Sequence, residues 1–232
     1  MPVILCIETG TDICSVAVGS ENGTIGVWEV ADPKAHSTQL PLLIDEVLKA
    51  SDLTPSQVSA VAVSKGPGSY TGLRIGVSMA KGLCYSMGIP LIAIGSLEAM
   101  VQGLLATPKK FPQNALLCPM IDARRMEVYT ALYSNKGEAF TPVEAVVVTP
   151  ESFMEYLNDR PVVFFGNGSA KCQSVISNTN AIFIANFLPS AKFMLPLAIK
   201  AYKNENFENT AYFEPFYLKD FIATTPKNKI LP

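Results

Sequence analysis

Three observations predict an α/β chain of two lobes, each a mixed sheet flanked by helices, with a cleft between them. The order strand, strand, strand, helix, strand, helix, strand, helix occurs twice, although the residue-level self-similarity is weak. A glycine-rich loop joins a buried strand to a long helix in Ser64 to Gly88, SKGPGSYTGLRIGVSMAKGLCYSMG. With 232 residues, 49% of them hydrophobic, the chain can fill the core of one large or two small domains.

In the first half, the apolar run Val3 to Glu8 reads as a strand, Thr9-Gly10-Thr11-Asp12 as a turn and Cys14 to Gly19 as a second strand. Glu21-Asn22-Gly23 is a hairpin signal leading into a third strand, Thr24 to Val30. Asp32-Pro33 breaks the pattern. A helix follows from about Ala35 to Ala50, with Leu40, Leu43, Ile44, Val47 and Leu48 on one face and Pro41 early enough to be only a mild kink. Next come the strand Val58 to Val63, the glycine-rich helix, the strand Leu91 to Ile94 and a helix from Ser96 to about Ala106. Thr107 to Gln113, with two prolines and two lysines, reads as a linker and divides the chain into lobes of residues 1–106 and 107–232.

The second half repeats the order. Ala115 to Ile121, Glu127 to Tyr133 and Val143 to Val148 read as strands, with a hairpin turn at Asn135-Lys136-Gly137. A short helix is expected over Pro150 to Leu157, capped by Thr149. Then follow a strand at Val162 to Phe165, a loop at Gly166-Asn167-Gly168, a helix at Ser169 to Ser177, a strand at Ala181 to Ile184 and a last helix at Ser190 to Lys203. That helix is free to return to the first lobe. FEPFYLKDF carries enough aromatics to pack on something, and the polar end, Thr224 to Pro232, reads as disordered.

The helix after the glycine loop has two unlike faces. Gly72, Gly76, Ala80 and Cys84 recur every four residues and leave one face nearly bare, while Ile75, Met79, Leu83 and Met87 form a bulky stripe beside it. Glycine inside a helix costs about 1 kcal/mol relative to alanine, so the bare face implies a close approach. Its partner is either the chain's own sheet or another subunit, and the sequence leaves both open.

Net charge is −2, and Lys109–Lys110 and Arg124–Arg125 are the only basic pairs. A protein that grips nucleic acid unaided shows a broader basic patch, so contact with RNA is expected to be shared with partners. The five cysteines are scattered without a C-x-x-C pair, which signals neither zinc nor a disulfide framework and fits a reducing compartment. The chain enters a strand at Val3 with no basic stretch before it, which reads against a signal peptide. Ile89 to Ala106 is broken by Pro90, Glu98 and Gln102 and is not a membrane span. A cytoplasmic protein is expected.

ILCIETGTDICSVAV, HSTQLPLLIDEVL, SKGPGSYTGLRIGVSMAKGL, IDARRMEVY and FEPFYLKD together resemble the TsaB (YeaZ) family, nearly end to end and in order. The resemblance implies an actin-like ATPase fold with two ribonuclease-H-like lobes. It further implies a noncatalytic, dimerization subunit of the machinery for N6-threonylcarbamoyladenosine in transfer RNA. Such a subunit docks on the transferase subunit TsaD, is joined by the ATPase TsaE and reaches tRNA indirectly. In isolation the same face would give a homodimer. The implied docking surface is built from the helices Ala35 to Ala50 and Gly72 to Met87. The candidate partner-binding residues are therefore His36, Leu40, Leu43, Gly72, Leu73, Ile75, Gly76, Met79, Ala80 and Leu83.

Catalytic groups are not in evidence. The related catalytic subunit holds its metal with two histidines one helical turn apart; here His36, the only histidine, is followed four residues later by Leu40, so no metal site is expected. Actin-like ATPases place an acid, a glycine and a hydroxyl residue in the first hairpin to meet phosphate. Glu8, Thr9, Gly10 and Thr11 stand there, with Gly66 and Gly68 as a second candidate cradle, so weak ATP or ADP binding stays open and no cofactor is required. The corresponding loop of the second half, Asp122-Ala123-Arg124-Arg125, lacks the glycine; Asp122 and Arg124 are expected to form an ion pair or a turn contact. Two rivals remain, an actin-like ATPase or kinase and a glycoprotease-like metallopeptidase.

Overall fold

The computed structural model of the chain describes residues 1–32, 36–108 and 111–219. The expected helix start at Ala35, the Lys109–Lys110 pair and the polar end Thr224 to Pro232 lie outside them.

Two five-stranded mixed sheets form, flanked by helices. The first contains β1 (Ile4–Glu8), β2 (Ile13–Ser20), β3 (Gly23–Ala31), β4 (Ala60–Gly66) and β5 (Leu91–Gly95) in the order β3-β2-β1-β4-β5. β1 is antiparallel to β2 and parallel to β4. It is buried at every position, because helices cover both faces of the sheet. On one face lie α1 (His36–Ala50) and α2 (Tyr70–Met87), whose Leu40, Leu43, Val47, Val77 and Ala80 meet Leu5, Ile7, Val16 and Val63. On the other lies α6 (Leu195–Lys203), whose Leu195, Ala198 and Ile199 meet Ile4, Cys6, Ala17 and Ile92. The last helix thus belongs to the first sheet.

The second sheet repeats the topology with β6 (Leu116–Asp122), β7 (Glu127–Thr130), β8 (Glu144–Val147), β9 (Val162–Phe165) and β10 (Ala181–Ile184) in the order β10-β9-β6-β7-β8. β6 plays the part of β1, antiparallel to β7 and parallel to β9. Between the sheets runs α3 (Ser96–Leu105). Its Leu97, Met100, Val101 and Leu104 are buried with Leu117, Ile121, Val163 and Phe165 of the second sheet, which ties the lobes together through one apolar core.

Several second-half elements are shorter than the sequence predicts. The helix expected over Pro150 to Leu157 is only α4 (Met154–Leu157). Thr149 does not cap it; Phe153, at φ 65°, is the N-cap, while Thr149 accepts the Ser152 amide in a preceding turn. The helix expected to run to Ser177 is α5 (Ser169–Cys172). Before α6, Ala191–Met194 is a 3₁₀ turn, and the α-helix begins with a proline in its first turn, where no amide donor is needed.

After α6 the chain becomes a strap across the first lobe. The Glu208 amide donates to Leu91 O on the free edge of β5 at 2.8 Å. Lys81 holds Ala211 O and Phe213 O at 3.1 Å each. The Phe216 amide donates to Lys65 O at 2.7 Å, and Tyr217 stacks on Tyr70 with ring centroids 4.6 Å apart. Lys219 ends on the second lobe, paired with Glu127 and lying over the Tyr129 ring.

The bare face of α2 packs on its own lobe. A Cβ at Gly72 would land on the Thr9 carbonyl oxygen, and one at Gly76 on the Thr9 hydroxyl. Gly72, Leu73, Gly76 and Ala80 are buried, as are His36, Leu40 and Leu43 of α1. Those seven candidate partner-binding residues therefore form the lobe's interior and present nothing to another molecule. Ile75, Met79 and Leu83, beside that face, pack on its edge and stay half-exposed. A large charged residue at Gly76 or Ala80 would consequently disrupt the lobe itself and not just a docking surface. Even Gly76→Ala is expected to lower unfolding stability by about 1–3 kcal/mol through overpacking. Gly82→Ala, whose Cβ would meet nothing within 4 Å, is expected to raise it by up to about 1 kcal/mol. Parallel urea titrations of the two variants check the pair.

Candidate functional site

Four places in the fold gather polar or unpartnered groups: the β1–β2 hairpin with the glycine loop, the matching loop of the second lobe, a cavity between the lobes, and the outer face of α2. The sequence places Glu8, Thr9, Gly10, Thr11, Gly66 and Gly68 together, and the structure does bring the hairpin against the glycine loop. A Cβ at Gly68 would fall on Gly10 O, and the Ser69 amide donates to that same oxygen at 2.7 Å. The Thr9 hydroxyl donates to Gly72 O at 2.8 Å, and Ser69 caps α2 by accepting the Gly72 amide.

The Thr9 and Gly10 amides of the hairpin are engaged by the chain itself. Glu8, 1% exposed, accepts the Gly10 amide at 2.6 Å, and the Thr9 amide donates to Ser64 Oγ at 3.4 Å. Burial pushes the Glu8 carboxyl above its usual range, outweighing the hydrogen bonds from Gly10, Ser64 and Thr9 that favour the charged form. An acid that should handle magnesium or water in this fold instead lies sealed against the amide that should meet phosphate. In this arrangement the Gly10 amide is bonded within the hairpin. Gly66, at φ 106°, does not open a second cradle, because the strap crosses it: a Cβ there would sit 2.8 Å from Phe216 O.

His36 is 3% exposed, with Nε2 2.9 Å from Thr11 O and Nδ1 3.2 Å from Asp32 O. Its ring ties the hairpin to the start of α1. Among the described residues no group of three or more His, Cys, Asp or Glu side chains is placed to hold a metal ion. All five cysteines are free and buried; burial pushes the Cys6 and Cys118 thiols to about 12 and the Cys14 and Cys84 thiols to about 11, so they remain protonated.

In the second lobe, Asp122 accepts the Arg124 amide at 2.9 Å, the turn contact of the two expected alternatives. Its ion pair is with Lys171, which the sequence analysis missed. Lys171 Nζ also bonds Arg125 O at 2.8 Å and Glu127 O at 2.7 Å. Nothing local in the sequence marks a lysine 49 residues from its carboxylate.

A cavity of about 450 Å³ lies between the lobes, with Lys65, Gly66, Glu98, Tyr133 and Phe216 among its walls. Burial and the nearby Glu98 charge keep the Tyr133 hydroxyl protonated beyond its ordinary range. On the outside of α2 lies a groove of about 530 Å³. Ile75, Met79 and Leu83 form its apolar side, and Ser37, Arg74 and Ser78 border it. Arg74 lies over the Tyr70 ring, 5.5 Å from its centroid.

Comparison with known proteins accounts for the two-lobed fold. A family model described as TsaD, tRNA N6-adenosine threonylcarbamoyltransferase, matches residues 26–227. The Haemophilus influenzae protein named tRNA threonylcarbamoyladenosine biosynthesis protein TsaB is 33% identical over 230 residues, covering 95% of this chain and 94% of that one. The chain belongs to the TsaB (YeaZ) family. A Pseudomonas aeruginosa structure described as similar to peptidase YeaZ superposes on this TsaB-family chain with a TM-score of 0.79 at 26% identity, over 94% of this chain and 100% of that one. A polyphosphate/ATP-glucomannokinase from Arthrobacter gives a TM-score of 0.51 at 10% identity, over 88% of this chain and 100% of its own, which shows the shared actin-like fold and nothing more.

Glu8 offers a direct measurement. The folded chain holds its proton more tightly than the unfolded chain, whose value is near 4.5. Folding stability contributed by this group is therefore lost as pH rises from about 4.5 through the raised folded value, by about 1.4 kcal/mol per unit of difference. Glu8→Gln, which stays neutral and can still accept the Gly10 amide, is expected to remove that loss. Denaturant midpoints of wild type and variant, compared between pH 4.5 and pH 8, should diverge in the variant's favour as pH rises.

Proposed function

We propose that this chain is a noncatalytic subunit of the machinery that makes threonylcarbamoyladenosine in tRNA, and that it docks on a TsaD-like transferase subunit through the outer face of α2. Its family membership supports the role in tRNA threonylcarbamoyladenosine biosynthesis. The observation that carries the noncatalytic reading is the Glu8–Gly10 closure: carboxylate and amide are bonded to each other in a buried hairpin. On this reading the chain needs no nucleotide, and a TsaE-like ATPase supplies that chemistry to the assembly.

The docking place follows from what the fold leaves outside. Ile75, Met79 and Leu83 line an apolar groove beside the buried face of α2. Tyr85, 87% exposed, and Leu42 of α1, 54% exposed, extend the apolar surface of the two helices. Solvent-facing apolar side chains of this number on neighbouring helices mark an interaction surface. A partner of the same fold offers a matching helix pair, and in its absence a second copy of the chain can take the place.

Met79→Glu puts a charge in the groove at a half-exposed side chain, leaving the buried Gly72, Gly76 and Ala80 unchanged. It is expected to weaken binding to the transferase subunit at least about 100-fold, as the loss of a central apolar contact does, while leaving the melting temperature within a few degrees. Calorimetric titration of the two purified proteins measures this, and unchanged affinity removes the docking claim. Mass spectrometry of tRNA nucleosides from cells depleted of the protein tests the role itself: threonylcarbamoyladenosine should fall, and its persistence would exclude the function. Steady phosphate release by the isolated chain would instead favour an ATPase.

A further inference from the structure

We infer that the loop Asp122 to Glu127 is a direct contact for the phosphate backbone of RNA, made by Arg124 and Arg125. This rests on the proposed role in a tRNA-modifying assembly and adds to it a surface of this chain's own. Arg124 and Arg125 stand at φ 70° and 49°, two consecutive side-chain-bearing residues in the left-handed region. Such backbone persists only where its surroundings enforce it. Here they do: the Arg124 amide is held by Asp122 Oδ1, the carbonyls of Arg125 and Glu127 by Lys171, and the Asp122 amide by Asn167 Oδ1 at 3.2 Å.

The charges of the loop are arranged one-sidedly. Asp122 is paired with Lys171, and Glu127 with Lys219 of the strap. Both carboxylates are thereby matched by lysines. Arg124 and Arg125 are both exposed, and among the described residues neither guanidinium has an ion-pair or hydrogen-bond partner. Two lysines and two arginines against two carboxylates leave an excess of two positive charges, in a chain whose net charge is −2. Guanidinium forks match phosphate oxygens bidentately, and a rigid loop that presents two of them loses little entropy on binding. Two contacts are too few to hold RNA alone, so they act as a supplementary clamp on tRNA already brought by the assembly.

The test is salt-dependent filter binding of an unmodified tRNA transcript to the complex of the full chain with its transferase subunit, comparing wild type with R124A/R125A. The expected result is intact assembly, roughly ten-fold weaker binding near physiological salt, and a log–log salt slope shallower by about 1.5, as two lost phosphate contacts require. R124K/R125K, which keeps the charges but not the forks, is expected to retain the slope. R124G/R125G relieves the backbone and is expected to melt at or above the wild-type temperature while binding as weakly as the alanine variant, which separates contact from folding. Unchanged affinity and slope in R124A/R125A overturn the inference. Loss of assembly also overturns it, since the arginines then grip an acidic protein surface. Should the wild-type complex not form, the docking proposal fails by itself. NMR of the isolated chain then decides: shifts of the Arg124 and Arg125 side-chain signals on adding tRNA support the contact, and their absence ends it.

Discussion

The whole arrangement depends on one close approach, that of the glycine loop and α2 to the β1–β2 hairpin. Gly68, Gly72 and Gly76 present backbone to Thr9 and Gly10 with no room for a methyl group between them. Overpacking there is costly because a strand and a helix, each locked by its own hydrogen bonds, would have to move apart. The contact is polar as well as tight: Thr9 donates to the Gly72 carbonyl and Gly10 accepts the Ser69 amide, so the hairpin is stitched to the start of the helix. Glu8 is buried as a consequence. Its carboxylate has no water to face and turns to the Gly10 amide.

That same contact sets the rotation of α2. With residues 72, 76, 80 and 84 turned inward, 75, 79 and 83 fall at the margin of the buried face, half-exposed and packed against its edge, since a helix repeats every 3.6 residues. The burial of Glu8 and the rotation that brings Ile75, Met79 and Leu83 to the rim of the helix are thus two results of a single packing choice. The second lobe repeats the topology with different chemistry. Where the first lobe brings small residues into contact and seals the hairpin, the second keeps its loop open by pinning carbonyls to Lys171 and sends two arginines to solvent.

Element order was legible because it is written in local periodicity, and the doubled sheet followed from it. Which face of α2 looks inward was not. The four-residue spacing of Gly72, Gly76 and Ala80 shows that something comes close, but the decision lies with Thr9, more than sixty residues away in the chain. Ile75, Met79 and Leu83 read as the greasier stripe, and only the hairpin contact shows that this stripe is the one left outside. Short helices failed for a related reason: the turn at Thr149 to Ser152 and the left-handed Phe153 delay α4, and neither has a strong sequence signal. Lys171, Lys219 and the strap were invisible for want of any local pattern, although the aromatics of FEPFYLKD do mark a segment that packs.

The strap and α3 join the two lobes. α3 buries its apolar face in the second sheet, and the strap runs from β5 past the glycine loop to Glu127. Each fastens the first lobe to the second on a different side of the cavity between them. Actin-like enzymes change the angle between lobes as nucleotide enters and leaves. Here a covalently continuous segment crosses Gly66 and bonds Lys65 of the first lobe before it reaches the second at Lys219. Phe216 and Tyr217 fasten the segment to the first lobe, and Lys219 carries it across to Glu127 and Tyr129 of the second. The lobes are therefore joined twice, by the apolar face of α3 and by the strap's Lys219, so the α2 groove and the arginine loop belong to one connected body.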